Sequence, residues 1–600
     1  MAEKKVRIGC ASAFYGDSQL SARQLVENGD IDYLVFDYLA ESTMAILSRA
    51  RAKDASLGYA VDFVTVAMRD VLADCAKKRI RIVANAAGVN APACIAALKA
   101  LCAELGLDLK IAAVYGDDLT AIAGEWQAAE LAEMRSGEPL PPRLASINAY
   151  LGAAPIADAL AAGADVVVTG RVVDSAVALG PLMHEFGWQV TDYDRLAQGS
   201  LAGHVIECGA QCTGGNFTDW HLVPDFSNMS YPIAEVSEDG TFVIGIPRDT
   251  GGIATVATVG EQILYEIGDP ANYLLPDVVC DFSHIRLEQI GDNRVRVSGA
   301  KGRAPGPQYK VCATWIDGFR LSGTFFMAGP RAAEKARRSL EAWISRTRRV
   351  FADRGFGDYR QVCIEIIGAE DTYGPHARIK DPREVMGKYG LHHDNSEALL
   401  FAAAEMAYLA TSATPGMSGF GAGRAQPQPR MRIHSTLINK AAVPVTVQLG
   451  DEVVVERCYA GDETSAPTAK CRTRVMPPDP GGDWTDVPLE ELVFARSGDK
   501  GNDANVGVMC RRPEYYALLH RQLTSEVVAD YFAHLVDGTV ERFELPGFHA
   551  FNFLMTEALG GGATASLRVD AQGKAYAQML LSMNMRVPAA WVRRPDAAPA

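Results

Sequence analysis

The stretch Asp165-Val-Val-Val-Thr-Gly170 is the clearest strand in this 600-residue sequence. Four similar apolar runs precede it, at residues 6–10, 33–37, 81–85 and 109–115. Ala- and Leu-rich helical patterns separate the runs, for example at residues 92–105. Strands that alternate with helices predict parallel strands joined by right-handed crossovers. We therefore predict an α/β domain over residues 1–225, with an open, doubly wound sheet favoured and a closed barrel as the alternative.

The pattern changes at about residue 225 and predicts an α+β region over residues 226–458. The predicted elements are strand-rich stretches at 236–259 and 285–298, two strands at 310–326 about a turn at Asp317-Gly318, a helix at 331–354 and a strand at 362–367. The β-β-α-β order of the last four elements is typical of a split βαβ unit.

Residues 459–486 are rich in Pro, Gly, Thr and Asp, which predicts a linker. The segment after it, residues 487–588, predicts a small α+β domain of ferredoxin-like character. The predicted elements of this domain are strands at 489–494, 504–510, 540–545, 563–569 and 576–585 and a helix at 514–535.

The composition is that of an ordinary globular protein, with 48% apolar and 22% charged residues. A net charge of −15 disfavours a nucleic-acid partner, because an acidic surface repels phosphate backbones. No uninterrupted apolar run reaches the length of about 18 residues that a membrane span needs. The twelve cysteines are scattered without a Cys-x-x-Cys pair, which favours reduced thiols in a cytosol. We expect a soluble, cytoplasmic homo-oligomer.

The sharpest local signal is Cys212-Thr-Gly-Gly-Asn-Phe-Thr-Asp-Trp220. The consecutive glycines Gly214 and Gly215 predict a bend with exposed backbone N–H groups, which can hold an anion or an oxyanion. Asn216 could donate a hydrogen bond to a carbonyl oxygen, and Asp219 could serve as acid, base or anchor. The alternative is a tight turn before a capped helix.

Just upstream lies His204-x-x-Glu207-Cys208-x-x-x-Cys212. All four residue types can bind zinc, but their spacing matches no standard zinc site, so we predict no metal. His204 and Glu207 could form an acid/base pair, with structural hydrogen bonding as the alternative. The catalytic candidates are therefore His204, Glu207, Asn216 and Asp219.

Polar residues follow several predicted strands, and the carboxyl ends of parallel strands are where α/β proteins bind ligands. Arg171 could hold a carboxylate or a phosphate bidentately. The strand-end candidates for substrate binding are Tyr15, Asp17, Asp37, Asn85, Asn90, Arg171 and Asp174. Their alternative role is to shape turns. No Gly-x-Gly-x-x-Gly fingerprint is present, so a dinucleotide site is weakly supported.

Two further loops carry charged residues. Lys301 and Arg303 lie in the basic, Gly/Pro-rich run 301–310, which could meet the phosphates of a CoA-like ligand or could be an ordinary surface loop. Asp499, Lys500 and Asn505 lie in a loop of the C-terminal domain, which predicts either a ligand site or an ordered domain interface.

Four segments together resemble the acyclic terpene utilisation family, AtuA. They are Arg7-Ile-Gly-Cys-Ala-Ser-Ala-Phe-Tyr-Gly-Asp17, Thr169-Gly-Arg-Val-Val-Asp-Ser175, Cys212-Thr-Gly-Gly-Asn-Phe-Thr-Asp-Trp220 and Ala495-Arg-Ser-Gly-Asp-Lys-Gly-Asn-Asp-Ala-Asn-Val-Gly507. The resemblance covers nearly the whole chain, including the C-terminal ferredoxin-like domain. It implies a place in the catabolism of branched isoprenoid acids, where the acids are handled as CoA thioesters beside a biotin-dependent acyl-CoA carboxylase.

Three hypotheses about function stay open, and the third of them is an ordinary hydrolase or metal-dependent lyase that uses the cluster around His204. The first is an enzyme that acts on a branched acyl-CoA or a related carboxylic acid, by hydration, dehydration or carbon–carbon cleavage. The second is a non-catalytic partner or assembly component of an acyl-CoA carboxylase or lyase. No cofactor signature is strong, and the CoA moiety of the substrate is the one cofactor-like group that we expect.

Overall fold

The computed structural model describes residues 4–128, 131–419, 423–462, 467, 470–471 and 481–592. None of the helices in these ranges is both long enough and apolar enough to cross a membrane. Most of the linker that we predict at residues 459–486 lies outside the described residues.

Twenty strands precede residue 460 in the described chain. They are β1 (Lys5–Cys10), β2 (Tyr33–Phe36), β3 (Arg81–Ala84), β4 (Ile111–Tyr115), β5 (Ser146–Ala149), β6 (Val166–Thr169), β7 (Ile233–Ser237), β8 (Phe242–Gly245), β9 (Tyr273–Leu274), β10 (Val279–Asp281), β11 (Arg286–Gly291), β12 (Arg294–Ser298), β13 (Lys301–Arg303), β14 (Gln308–Ala328), β15 (Gln361–Ile367), β16 (Glu384–His393), β17 (Met417–Ser418), β18 (Gln428–Asn439), β19 (Val445–Leu449) and β20 (Glu452–Arg457).

Six more strands follow, namely β21 (Trp484–Pro488), β22 (Val493–Lys500), β23 (Asp503–Cys510), β24 (Val540–Leu545), β25 (Ala550–Met555) and β26 (Asn584–Pro588). The α-helices are α1 (Ser21–Asn28), α2 (Glu41–Lys53), α3 (Arg69–Lys78), α4 (Ala91–Leu105), α5 (Ala123–Ala128), α6 (Ala154–Ala161), α7 (Ala176–Phe186), α8 (Tyr193–Ile206), α9 (Val256–Leu264), α10 (Ala332–Arg354), α11 (Ser396–Glu405), α12 (Leu409–Ser412), α13 (Tyr515–Gln522), α14 (Ser525–Tyr531) and α15 (Tyr576–Leu581).

The largest sheet is open and has the strand order β11-β12-β8-β7-β1-β2-β3-β6-β4-β19-β20. Its five central strands, from β1 to β4 along this order, pair in parallel. One apolar cluster packs α1, α3 and α4 against one face, and a second packs α6, α7 and α8 against the other. The prediction of an α/β fold with an open, doubly wound sheet is therefore confirmed. All five predicted parallel strands are present.

Antiparallel strands from later in the chain extend this sheet on both sides. β7 pairs with β1 on one side, and β19 pairs with β4 on the other. The sheet thus joins strands from both sides of residue 225, while the domain boundaries at residues 225 and 458 stay predictions. Part of the predicted strand-rich stretch 236–259 is wrong, because Val256–Leu264 is a helix that begins with a capping box at Thr255.

A second sheet has the order β15-β16-β14-β17, with β18 and β5 also paired to β14. β14 and β15 are both antiparallel to β16 and are connected through α10, which is the predicted split βαβ arrangement. The predicted pair of strands at residues 310–326 is wrong, because β14 is one continuous strand. Asp317 and Gly318 form an irregularity in its pairing with β18 instead of a hairpin turn.

The C-terminal domain forms an antiparallel sheet with the order β22-β23-β25-β24. Its apolar core includes side chains from α13, α14 and α15. The predicted strand at residues 563–569 is wrong, since that segment contains turns. The predicted strand at 576–585 is also wrong in its first part, because Tyr576–Leu581 is a helix and the strand begins at Asn584.

A candidate active site at the strand ends

Three carboxyl groups meet where the parallel strands end. Asp37 directly follows β2, Asp174 lies just beyond β6, and Glu207 follows α8. One carboxylate oxygen from each residue lies within 4.8 Å of the other two. Asp37 and Glu207 are buried, while Asp174 is half-buried. The carboxyl edge of a parallel sheet is the usual ligand site of this architecture, so this cluster is the centre of the candidate active site.

Burial and mutual repulsion favour the neutral form of two of these carboxyl groups. The pKa of Asp37 is raised by burial and by the nearby carboxylates of Asp174 and Glu207. Asn85 opposes this rise, because its Nδ2 donates a 2.5 Å hydrogen bond to Oδ1 of Asp37. Asn85 is itself fixed by accepting a 2.6 Å hydrogen bond from the backbone N–H of Tyr38. Like charges this close cannot all be ionised without cost, so the cluster can hold a proton.

Arg171 is buried beside the cluster and leaves one edge of its guanidinium unused. Its Nη1 donates 2.6 Å hydrogen bonds to Oδ1 of Asp174 and to the carbonyl oxygen of Val172. Its guanidinium carbon lies 4.1 Å from the ring centre of Tyr150. Its Nε makes no hydrogen bond, and Nη2 has no partner within the described chain. The free Nε–Nη2 edge has the fork shape that binds a carboxylate with two hydrogen bonds.

A second basic group, Lys310 on β14 of the second sheet, contacts the same tyrosine ring as Arg171. Nζ of Lys310 lies 3.0 Å from Oε1 of Glu41, and it also sits 4.7 Å from the ring centre of Tyr150. Burial would raise the pKa of Glu41, but the positive charges of Lys310 and Arg171 outweigh it and hold that pKa far below its usual value. Glu41 therefore stays ionised and fixes the position of Lys310.

The C-terminal domain adds charged groups to this cluster at the end of β22. Burial of the Lys500 ammonium group opposes the change, but the nearby carboxylates of Glu266 and Asp174 raise the pKa of Lys500. Its neighbour Asp499 has a pKa raised to about 7 by burial and by Glu266. Lys574 lies 3.2 Å from Glu266 and 3.5 Å from Asp499. Charged groups of the C-terminal domain therefore lie close to the carboxyl cluster of the N-terminal part of the chain.

Glu207 forms a buried pair with His204, as its position three residues away on one helical turn allows. The distance between Nδ1 of His204 and Oε1 of Glu207 is 3.2 Å, and Nε2 lies 3.2 Å from the carbonyl oxygen of Ile263. The imidazole packs against the rings of Tyr273 and Phe282. Burial, helped by Lys500, lowers the pKa of His204 to about 4. Burial and the carboxylate of Asp174 raise the pKa of Glu207.

The spacing of Asp37, Asp174 and Glu207 is also one that a divalent cation accepts from oxygen ligands. Arg171 and Lys500, however, already place two positive charges against this cluster. A shared proton and these two side chains therefore offset much of the negative charge of the three carboxyl groups.

The glycine bend lies elsewhere, against the C-terminal domain. The N–H groups of Gly214 and Gly215 both donate to the carbonyl oxygen of Ala210, so they are not free to bind an anion. Asn216 is exposed, and its backbone carbonyl accepts a 2.8 Å hydrogen bond from Arg496. The structure thus gives this segment the role of a domain contact, in place of the predicted oxyanion site.

Asp219 belongs to the same domain contact. Its two carboxylate oxygens each accept a 2.6 Å hydrogen bond from Arg511. Next to it, the hydroxyl of Thr218 bonds to the backbone of Ala495. Of the three functions that we predict for Asp219, the geometry supports the anchor, because a carboxylate with both oxygens bound to Arg511 is not available as an acid or base.

Asn505 takes part in a second contact between the domains. Its Nδ2 donates to the carbonyl oxygen of Leu264, and its Oδ1 accepts from the backbone N–H of Glu266. Asn552 extends this contact, since it lies 2.8 Å from Asn505 and donates to the carbonyl oxygens of Ile267 and Gly268. Asn505 therefore lies behind the cleft, where it holds the segment that carries Glu266.

The remaining predicted ligand residues lie outside this cleft. Tyr15 and Asp17 line a separate cavity of about 350 Å³. Asn90 donates to the carbonyl oxygens of Ala55 and Leu57, which is a structural role.

The basic run at residues 301–310 does not form one open loop. Lys301 and Arg303 belong to strand β13. Lys301 pairs with Asp194 at 2.8 Å, and Arg303 bonds to Asn272 at 2.5 Å. Both side chains therefore contact other residues of the protein, and their geometry does not indicate a phosphate site.

The structure brings together, around the carboxyl cluster, eight residues that the sequence already marks as candidates, namely Asp37, Asn85, Arg171, Asp174, His204, Glu207, Asp499 and Lys500. Sequence reasoning missed Glu41, Tyr150, Lys310, Glu266 and Lys574. Glu41 lies only a few residues after a predicted strand, so its position near a strand end could have marked it as a candidate. Glu266 and Lys574 carry no local signal, because docking of the C-terminal domain brings them together.

Comparison with known proteins gives a consistent result. Residues 6–449 match the family described as acyclic terpene utilisation family protein AtuA, and residues 487–586 match the AtuA ferredoxin-like domain. No curated protein and no solved structure matches the chain. The resemblance seen in the sequence is thereby confirmed over most of the chain. This chain belongs to the acyclic terpene utilisation family AtuA, which implies a role in acyclic terpene utilisation.

Proposed function

We propose that this protein is an enzyme that acts on a branched acyl-CoA thioester, or a related carboxylic acid, by proton transfer, as a hydratase, dehydratase or lyase. One observation carries the proposal. The buried guanidinium of Arg171 presents an unused edge beside the carboxyl groups of Asp37, Asp174 and Glu207. Anion recognition and proton transfer are thus available in one cleft.

Arg171 is the group that would bind and orient the substrate. A buried donor without a partner costs roughly 1–3 kcal/mol, and a substrate oxygen bound to Nε would remove this cost. The ring of Tyr150 and the carboxylate of Asp174 fix the guanidinium from two sides, so that the free edge is pre-oriented. A carboxylate or the oxygen of a thioester carbonyl is an appropriate acceptor for this edge.

The carboxyl cluster would move the proton. Asp174 is paired with Arg171 and suits the role of a base, whereas Glu207 and Asp37 have raised pKa values and suit the role of an acid. When neighbouring carboxyl groups have different environments, their pKa values differ, and one commonly acts as the acid while the other acts as the base. Lys500, which lies close to Asp174 and Glu207, would stabilise negative charge that develops on an enolate oxygen.

Mass spectrometry of the purified protein with a panel of acyl-CoA thioesters tests this proposal. The panel would include linear and branched acyl groups, saturated and α,β-unsaturated, so that addition of water and carbon–carbon cleavage both change the mass. We expect branched thioesters to be consumed. If no thioester in the panel is consumed or bound, the enzyme proposal is wrong.

The second candidate function is that of a non-catalytic partner of an acyl-CoA carboxylase or lyase. One surface segment favours it, because Trp220, Leu222 and Phe226 are all more than half exposed. Large apolar side chains exposed this close together often mark a protein contact. The same surface could serve the homo-oligomer that we expect. Stable co-purification with such an enzyme, without turnover by the protein alone, would support the partner function.

A further inference from the structure

We infer that Glu207 is a neutral carboxylic acid at neutral pH, and that it is held in this form by a hydrogen bond that it donates to Nδ1 of His204. The inference deepens the proposed function, because it identifies the proton donor of the same site and the residue that positions it.

The carbonyl oxygen of Ile263 fixes which nitrogen of His204 carries a proton. This oxygen lies 3.2 Å from Nε2, and a carbonyl oxygen can only accept a hydrogen bond. Nε2 must therefore be protonated. In a neutral imidazole the other nitrogen, Nδ1, then has a lone pair and can only accept.

The proton in the contact between His204 and Glu207 can be assigned in the same way. Its Oε1 lies 3.2 Å from Nδ1 of His204, and two acceptors at this distance need a proton between them. With a neutral His204, that proton belongs to Glu207, whose O–H then donates to Nδ1. The one competing arrangement is a protonated imidazolium beside an ionised carboxylate.

The surroundings of the pair favour the neutral arrangement. His204 is buried against the rings of Tyr273 and Phe282, and burial lowers its pKa to about 4. Burial raises the pKa of Glu207. The lowered pKa of His204 and the raised pKa of Glu207 both favour the neutral pair. The charged groups that face Glu207 are Asp37, Asp174 and Glu266, which favour the neutral acid, and Arg171 and Lys500, which oppose it.

The C-terminal domain stabilises this arrangement from a distance. Asn505 binds the carbonyl oxygen of Leu264 at 2.7 Å and the N–H of Glu266 at 2.9 Å. The first of these backbone groups directly follows Ile263, whose carbonyl oxygen fixes the tautomer of His204, and the second lies two residues further on. Asn505 thus holds the backbone next to Ile263 against the ferredoxin-like domain.

Infrared difference spectroscopy tests the inference without any substrate. We expect wild-type protein at pH 7 to show the carbonyl band of a protonated carboxylic acid that disappears in Glu207→Gln. The matched control is Glu104→Gln, which removes an exposed carboxylate paired with Arg69 and should change only ionised-carboxylate bands. The inference is wrong if Glu207→Gln removes carboxylate bands and no acid band.

Nitrogen NMR of histidine-labelled wild-type protein gives a second, independent measurement. We expect the His204 resonances, assigned with His204→Gln, to show a protonated Nε2 and an unprotonated Nδ1. An imidazolium, or a proton on Nδ1, would overturn the inference. Both measurements use the protein alone. A failed turnover assay therefore leaves this inference standing, and a failed spectrum leaves the proposed enzyme activity standing.

Discussion

The two carboxylate oxygens of Asp219 each accept a 2.6 Å hydrogen bond from the guanidinium of Arg511. Asp219 follows the glycine bend of the AtuA-like core, and Arg511 directly follows strand β23 of the ferredoxin-like domain. The guanidinium also stacks on the ring of Phe494, with 4.2 Å between its carbon and the ring centre. This ion pair joins the core of the chain to the ferredoxin-like domain, away from the carboxyl cluster.

Removal of this ion pair should weaken domain docking. We expect Asp219→Ala to lower the free energy of unfolding by about 2 kcal/mol, because the partly buried Arg511 loses two charge-assisted hydrogen bonds. Urea denaturation and limited proteolysis between the domains measure the effect. The matched control is Glu104→Ala, which breaks an equally bidentate but exposed pair with Arg69 and should change little. Equal effects of the two variants would contradict the docking role.

The variant Arg171→Lys tests whether substrate binding needs the shape of the guanidinium group as well as its positive charge. Lysine keeps the positive charge but has no Nε–Nη2 edge, so we expect KM for the substrate to rise about 10-fold or more. Steady-state kinetics on a consumed thioester, or a binding isotherm for its free acid, measures this change. Arg69→Lys at the protein surface serves as the control. Unchanged binding in Arg171→Lys would exclude the free edge as the substrate anchor.

The pH profile should depend on Lys500. If Glu207 is the acid, activity falls as the pH rises through its pKa, because the proton is then lost. The positive charge of Lys500 lowers the pKa of Glu207, so its removal in Lys500→Gln should move the alkaline limb of kcat/KM to higher pH by about one unit. Lys99→Gln removes an exposed lysine instead and should leave the limb in place. A shift to lower pH in Lys500→Gln would contradict the assignment.

Divalent cations should have little effect on this site. We expect Mg²⁺, Mn²⁺ or Zn²⁺ to leave the melting temperature unchanged, because a proton and two basic side chains already offset the charge of the carboxyl cluster. Thermal unfolding with and without each ion, after treatment with a chelator, measures the effect. A rise in melting temperature that is abolished by Asp174→Asn would show that the cluster binds a metal.

The parallel core of the fold could be predicted from the sequence, because each strand is a short apolar run between helical patterns. Arg171 and Asp174 could be selected for the same reason, since their place at a strand end follows from the strand itself. The pair Asp317-Gly318 misled the prediction because Asp and Gly suit a bulge within a strand as well as a hairpin turn. Pairing partners distant in sequence decide between the two.

The environment of the glycine bend could not be predicted in this way. Its N–H groups are satisfied by the carbonyl oxygen of Ala210 only a few residues upstream, and Asp219 meets an arginine 292 residues further along the chain. The closeness of Lys500 and Lys574 to Glu266 has the same origin. Contacts of this kind arise from domain docking, for which the local sequence carries no periodic signal.

Exchange of deuterium from heavy water into a branched acyl-CoA tests the central claim most directly, because it reports proton transfer even where a complete turnover needs a further reactant. The account predicts that the wild-type protein introduces deuterium into the acyl chain, as mass spectrometry would measure. It predicts that Glu207→Gln and Arg171→Gln lose this exchange while Glu104→Gln keeps it. Absence of exchange with every thioester, or full exchange in Glu207→Gln, would contradict the assignment of this cleft as the active site.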